Sequence, residues 1–323
     1  MVKFGVQIEN HLGFSYEAVL KVALEAERLG FDSIFICDHL MGRTEELARQ
    51  PCLDTWVTLG ALASATKRLR LGTLVSAVGF RYPSILAKMG ASVDSISGGR
   101  LQLALGAGWY EPEYKAYGIP FPTAKHRMQQ LREAIQIVRM MWTEEKSTFS
   151  GSSFKVKEAW CFPKPAQKPR PKIWVGGAGE QRLLRIVAEL ADGWNAIGTS
   201  AEEYEHKLKV LESYCTSAKR SLQDIERSYY GTGLTAKNEN EFLAAFDRYY
   251  ARLRRPDETA EAFTQRVRAS SRSFIGTHDE VIEKIRKFSR LGVTYLVFYF
   301  PDKDQLGFIR QFAEHVLPTF QNQ

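Results

Sequence analysis

Apolar residues come in short runs of roughly four to eight, and each run is followed by a stretch where they recur at helical spacing. The first run, 4–8, precedes Ser15, which caps a helix with Val19, Val22, Ala23, Ala26 and Leu29 on one face; Gly30 closes it. Residues 33–37 repeat the strand signal with Ile34, Phe35 and Ile36 apolar throughout, as expected of a parallel strand covered on both faces. Asp54 caps a helix to Thr66, and 69–78 form a third strand. Pro83 opens a helix to about Ser97, and Leu101, Leu103 and Leu105 mark a fourth strand.

A long amphipathic helix over 123–143 carries Leu131, Ile135, Val138 and Trp142 on one side. The period then changes: Phe149, Gly151-Ser152, Phe154 and Val156 predict a small hairpin within 148–160, and prolines 165, 169 and 171 make a connector. Further strands are predicted at 172–175, 193–197, 225–234 and 293–300, with capping boxes at Ser200/Glu203 and Thr277/Glu280. Residues 236–271 read as two helical segments parted at Arg254-Arg255-Pro256, an insertion, and a last helix runs from about Asp304 to His315.

Eight strands alternating with helices, without internal repeats, predict an α/β fold of the (β/α)8 TIM-barrel type. One domain over 1–323 is expected, with insertions near 148–160 and 236–271. In such a barrel the chemistry belongs at the carboxyl ends of the strands.

Composition narrows the field. The 323 residues carry a net charge of +7, yet Lys and Arg are scattered and interleaved with Glu, as at 280–290, and form no basic stripe. Nucleic acid is therefore not expected as a partner; most of the charge is a solvated surface and a minority serves a small anionic ligand. Cys37, Cys52, Cys161 and Cys215 have no CxxC pairing and no His at metal-ligand spacing, so reduced packed thiols and no metal are expected. The amino terminus lacks a signal-peptide pattern and no apolar run reaches membrane-spanning length, which predicts a cytoplasmic protein away from membranes.

Three strand ends carry the candidate chemistry. Asp38-His39 ends a buried strand, where a titratable pair must be either satisfied in the barrel wall or used on a ligand; Glu9, Asn10 and His11 end the neighbouring strand. Gly106-Ala107-Gly108 lets backbone approach a flat or anionic ligand beside Trp109 and Tyr110, or makes a tight turn under those aromatics. Gly176-Gly177-Ala178-Gly179 opens a helix and offers N–H groups to a phosphate, with Arg182 as helper charge; the alternative is a plain strand-to-helix turn. It is neither a Walker sequence nor GxGxxG.

GFDSIFICDHL at 30–40, the segment 66–122 around LQLALGAGWYEPEYKAYG, and PKIWVGGAGEQRLLRIVAELADGWN at 171–195 resemble the luciferase-like monooxygenase superfamily. The branch most similar uses the deazaflavin coenzyme F420 and includes relatives of methylenetetrahydromethanopterin reductase. The resemblance implies that Asp38 and His39 face the deazaflavin ring. It implies that Thr73, Leu74, Val75 and Ser76 form a bulge under the ring containing a non-prolyl cis peptide. It places Gly106, Gly108 and Trp109 beside ring and ribityl chain, and Gly176, Gly177, Ala178 and Gly179 around the phosphate.

The implied activity is hydride transfer between F420 and an unidentified small organic substrate, with His39 as catalytic group, Asp38 as its partner and His11 as a proton donor. An FMN-dependent monooxygenase using reduced flavin and oxygen is the alternative, and a non-catalytic flavin-binding protein a third. Sugar-phosphate dehydrogenases of the superfamily have a Trp soon after the His and an acid where Trp109 stands. Leu40-Met41-Gly42-Arg43 follows His39 here, which withdraws support for a sugar-phosphate substrate. Relatives are commonly dimers, and the small-residue run 60–65 suits a homodimer contact.

Overall fold

The computed structural model describes residues 2–255, 257–301 and 305–321. Its strands are β1 (Lys3–Ile8), β2 (Ser33–Ile36), β3 (Arg70–Ala77), β4 (Leu101–Gly106), β5 (Lys146–Ser150), β6 (Lys155–Trp160), β7 (Ile173–Gly176), β8 (Gly193–Ile197), β9 (Glu226–Ala236), β10 (Ser273–Thr277) and β11 (Tyr295–Tyr299). All neighbours are parallel in the order β11-β1-β2-β3-β4-β7-β8-β9, and β9 returns to β11, with Ser228 opposite Tyr295. These eight strands close the expected barrel, and β5 and β6 pair antiparallel as the expected hairpin.

Local chemistry sets the helices. Ser15 Oγ accepts from Ala18 N, and Gly30 ends Tyr16–Leu29 in the left-handed region at φ 85°. Asp54 accepts from Trp56 N and Val57 N to start Thr55–Ala65, and both predicted capping boxes form. Helix faces pack on the outside of the barrel around residues such as Leu59, Leu86, Ile135 and Val187. A smaller interior cluster fills the barrel: Phe35 stacks on Trp174 at 5.7 Å, and Trp174 meets Tyr295 edge-on at 5.0 Å.

The sequence expectation differs from the structure at several places. Residues 236–271 do hold two helices, Glu239–Tyr250 and Ala260–Ala269, but a ninth strand, β10, follows them and pairs with the outer half of the long β9. Pro256 and the expected last-helix start, Asp304, lie outside the described residues; that helix is Leu306–His315. The turn after β7 begins as a π-helical segment, Glu180–Leu184, before Arg185–Leu190 continues as α-helix. No helix among the described residues is long and apolar enough to cross a membrane. Cys37, Cys161 and Cys215 are buried free thiols and Cys52 is half-buried.

Candidate active site

The carboxyl ends of β1, β2, β3, β4, β7, β8, β9 and β11 open into one cavity of about 530 Å³. Asp38, His39, Leu74, Val75, Gly108, Trp109, Gly176 and Gly177, all singled out in the sequence, line it together. Thr73, Ser76, Gly106, His11, Ala178 and Gly179 are not among its lining residues.

The floor is the end of β3. Register with β4 slips between Thr73 and Ser76, and the Leu74-Val75 peptide is the cis bond that the resemblance implies. Thr73 donates its hydroxyl to Ala104 O at 2.8 Å, and Gln7 Nε2 donates to Leu74 O at 3.2 Å. Val75 wedges between two strand ends. A Cβ on Gly106 would stand 2.5 Å from Val75 Cγ2, and one on Gly176 would stand 2.5 Å from Val75 Cγ1. Both glycines are thus required by close approach to the floor.

Asp38 is buried, with Oδ2 accepting from the Ser76 hydroxyl and from Arg81 Nη1 at 2.6 Å. Arg81 also reaches Asp54 Oδ2 at 2.6 Å, so one guanidinium ties the β2 end to the cap of the next helix. Burial pushes the Asp38 carboxyl up, against the pull of Arg81 and Ser76. Its other oxygen, Oδ1, is buried without a hydrogen-bond partner among the described residues. That oxygen is the one Asp38 atom left for a hydrogen-bond partner from the cavity.

His39 is oriented by a residue that sequence reasoning missed. Glu113 lies on a short helix, Glu111–Ala116, and is 1% exposed. Its Oε2 stands 3.0 Å from His39 Nδ1, and Oε1 accepts from Leu40 N at 2.5 Å and Met41 N at 3.2 Å. A carboxylate only accepts, so Nδ1 carries the proton and Nε2 is the nitrogen left for the cavity. The signal was present in Glu111-Pro112-Glu113, a first-turn proline flanked by acids, which marks a helix start. The same helix region latches the 40–53 loop: Tyr117 donates to Leu40 O at 2.8 Å and Tyr110 to Arg43 O at 3.2 Å. Trp109, 62% exposed, stands at the mouth with the Arg43 guanidinium 5.8 Å from its ring and His39 edge-on at 6.2 Å.

His11 is placed differently from the expectation. It is fully buried behind His39, ring centroids 4.6 Å apart, and does not line the cavity. Burial, then His39 and Arg43, lower it to about 3, so it is a neutral imidazole near pH 7 with no surplus proton to donate. Its place behind His39, off the cavity lining, does not suit the proton-donor role that the resemblance implies. The fold also gathers His11, Cys37 and His39 with ligand atoms within 4.8 Å, although sequence spacing showed no such group. Burial drives the Cys37 thiol well up, and it donates to Asn10 Oδ1 at 3.0 Å. Asn10 in turn donates to His39 O and Leu53 O, each at 3.0 Å, and so braces the loop; Glu9, held by the Tyr230 hydroxyl at 2.7 Å, lines the cavity.

Gly177 has φ +136°, and a Cβ there would stand 2.6 Å from Leu183 Cδ1, so only glycine fits. Its N–H is spent on Asn195 O at 3.0 Å. The N–H groups of Ala178 and Gly179 make no hydrogen bond among the described residues, which leaves them for an anion. Gly179, at φ −74°, has ordinary room for a Cβ, so the fold itself does not demand glycine there.

The luciferase-like monooxygenase family profile matches residues 1–295. An F420-dependent glucose-6-phosphate dehydrogenase of Microbacterium testaceum (strain StLB037) is 31% identical, over 98% of this chain and 97% of that protein. A similar protein of the same name from Intrasporangium calvum is 31% identical over 91% of this chain and 92% of its own. Among solved structures, the coenzyme F420-dependent tetrahydromethanopterin reductase from Methanopyrus kandleri superposes with TM-score 0.80 at 22% identity, covering 99% of each chain. A monooxygenase from Streptomyces bottropensis does so with TM-score 0.81 at 23% identity, over 98% of this chain and 99% of its own.

Proposed function

Because the chain belongs to the luciferase-like monooxygenase family, we propose that it is an F420-dependent oxidoreductase acting on a small alcohol that bears an anionic group. One observation carries this: a single cavity joins the β3 bulge, the unpartnered Asp38 Oδ1, the His39-Glu113 pair and the glycine turn after β7. A flat ring with a polar N–H edge and a phosphate tail suits those features. Leu74 and Val75 would support the ring, Asp38 would accept from its edge, and Ala178 and Gly179 would take the phosphate.

F420, when bound, supplies a ring carbon that accepts or returns a hydride. The chain's own work is to position and to move one proton. His39 Nε2 takes the proton of the substrate hydroxyl, and Glu113 balances the charge that this puts on the imidazole. Trp109 and the latched 40–53 loop cover the mouth and limit water. Arg43 and Arg272, the two guanidinium groups on the lining, favour an anionic substrate, which reopens the sugar-phosphate class that the residues after His39 argue against. The relatives named for glucose 6-phosphate point to that same class.

The test is turnover of F420 under anaerobic conditions with glucose 6-phosphate and with a neutral secondary alcohol. Reduction of F420 by the phosphate ester, lost in His39→Ala, is expected. Oxygen uptake with reduced FMN and no F420 turnover would replace this proposal by the monooxygenase alternative.

A homodimer is proposed as well. Val57 is 72% and Ile85 57% exposed on neighbouring helices, and a Cβ at Gly60 would meet nothing, so this face is apolar and open to close approach. Light scattering at twice the chain mass is the expected result; a monomer would refute it.

A further inference from the structure

Strands β1 and β2 run parallel with Ile8 opposite Ile36, so the residues just past each end come together. There His11, Cys37 and His39 each bring one ligand atom within 4.8 Å of the other two. Cys37 and His39 line the cavity, so a solute in it reaches them directly, and His11 is fully buried against them.

Each of the three has donor capacity left over. Cys37 Sγ stands 3.5 Å from His11 Nδ1. A sulfur and a nitrogen bound to one tetrahedral zinc, at about 2.3 and 2.0–2.1 Å, stand roughly 3.5 Å apart. His11 Nε2 is buried with no hydrogen-bond partner among the described residues, whereas a histidine that only packs an interior has both ring nitrogens satisfied. His39 gives its Nδ1 proton to Glu113 Oε2 at 3.0 Å, which leaves the Nε2 lone pair free. A carboxylate on one ring nitrogen is the support that a metal-bound histidine ordinarily has on the side away from its metal. Glu9 Oε2, 3.5 Å from His11 Nδ1, adds a negative charge beside the group.

We propose that His11, Cys37 and His39 form a binding site for a zinc-class divalent cation. One thiolate and two neutral imidazoles suit zinc or cobalt(II), and not magnesium or calcium, whose ligands are oxygens. On binding, a metal–sulfur bond replaces the Cys37 S–H bond and that proton leaves to solvent; zinc exchanges no electron. The hydrogen bond from Cys37 to Asn10 Oδ1 is given up, and the widest ligand pair closes by up to roughly 1.5 Å to reach tetrahedral spacing. Both costs place the affinity in the micromolar range, below that of a preformed structural site. The site needs only these side chains and stands whether or not the cavity takes F420. In the proposed reaction the same His39 Nε2 accepts the substrate proton, so an occupied site and turnover exclude each other.

The experiment is titration of the intact, reduced protein with cobalt(II), read by the near-ultraviolet thiolate-to-cobalt absorption band. A band that saturates at one ion per chain in the micromolar range, and that zinc displaces, is expected. Cys37→Ser should lose it. Glu113→Gln, which removes the support behind His39, should weaken cobalt binding roughly 10–100-fold, and His39→Ala, on the cavity wall and so least liable to disturb folding, should weaken it at least as much. Cys52→Ser is the control: that thiol donates to His39 O at 3.4 Å but lies outside the group, and its loss should leave the band unchanged. No band at millimolar cobalt, a band kept in Cys37→Ser, a band lost in Cys52→Ser, or unchanged affinity in His39→Ala would each overturn the site. None of these outcomes bears on the F420 reading, because no arm uses the cofactor.

Discussion

His11→Gln offers a test of the buried site that needs no substrate. In the folded chain His11 is lowered from 6.5 to about 3, by burial first and by the neighbouring His39 and Arg43 after it. Unfolded, it takes up a proton near its ordinary value. Between those two values the unfolded state binds more protons than the folded state, so stability falls as pH falls and is fully retained above the upper one. From about pH 7 to about pH 4.5 the window crossed is roughly two units, which at about 1.4 kcal/mol per unit amounts to about 2–3 kcal/mol from this one group. Gln is of similar size and does not titrate. Urea unfolding followed by tryptophan fluorescence at both pH values gives the loss for each protein, and groups common to both cancel. The wild type is expected to lose about 2–3 kcal/mol more than the variant, whatever the variant's absolute stability. Equal losses would mean that His11 is not held neutral in the fold, and the account of the space behind His39 would fail.

Glu113→Gln places an amide where a carboxylate accepts three hydrogen bonds; it should move the His39 proton from Nδ1 to Nε2, visible in the ring 15N resonances, and lower turnover roughly ten-fold or more. Unchanged resonances would deny Glu113 its positioning role. Arg81→Met strands the buried Asp38 carboxylate, and chemical denaturation near neutral pH should register a loss of about 3–5 kcal/mol; a loss under about 1 kcal/mol would show that the bridge from Asp38 to Asp54 is not needed. Gly176→Ala should abolish cofactor binding by pushing Val75 off the floor, and Val75→Ala in the same chain should restore part of it. Restoration failing in a folded double variant would separate Gly176 from the floor.

The barrel was legible because its strands are short, apolar and punctuated by caps that form as predicted. Ser15, Asp54, Ser200 and Thr277 each accept the helix N–H that their type and spacing imply. Strand β10 was not legible: five residues pairing one neighbour, it has no buried run long enough to stand apart from the helices beside it. Asp38 and His39 were visible as polar residues ending a buried strand. Glu113 was not, because its contact with His39 spans 74 residues and depends on a short helix whose signal is two acids and a proline. His11 shows the converse. Its position past β1 was read correctly, but burial, which decides its proton, is a property of packing and not of spacing.

The central claim is that one cavity at the barrel mouth holds a deazaflavin in preference to a flavin. Titrating F420 and FMN separately into the purified protein, with Trp109→Ala as a companion, measures it most directly. Saturable micromolar binding of F420, far weaker binding of FMN, and loosened F420 binding in the variant are the predicted results. Micromolar FMN binding with no response to F420 would contradict the account.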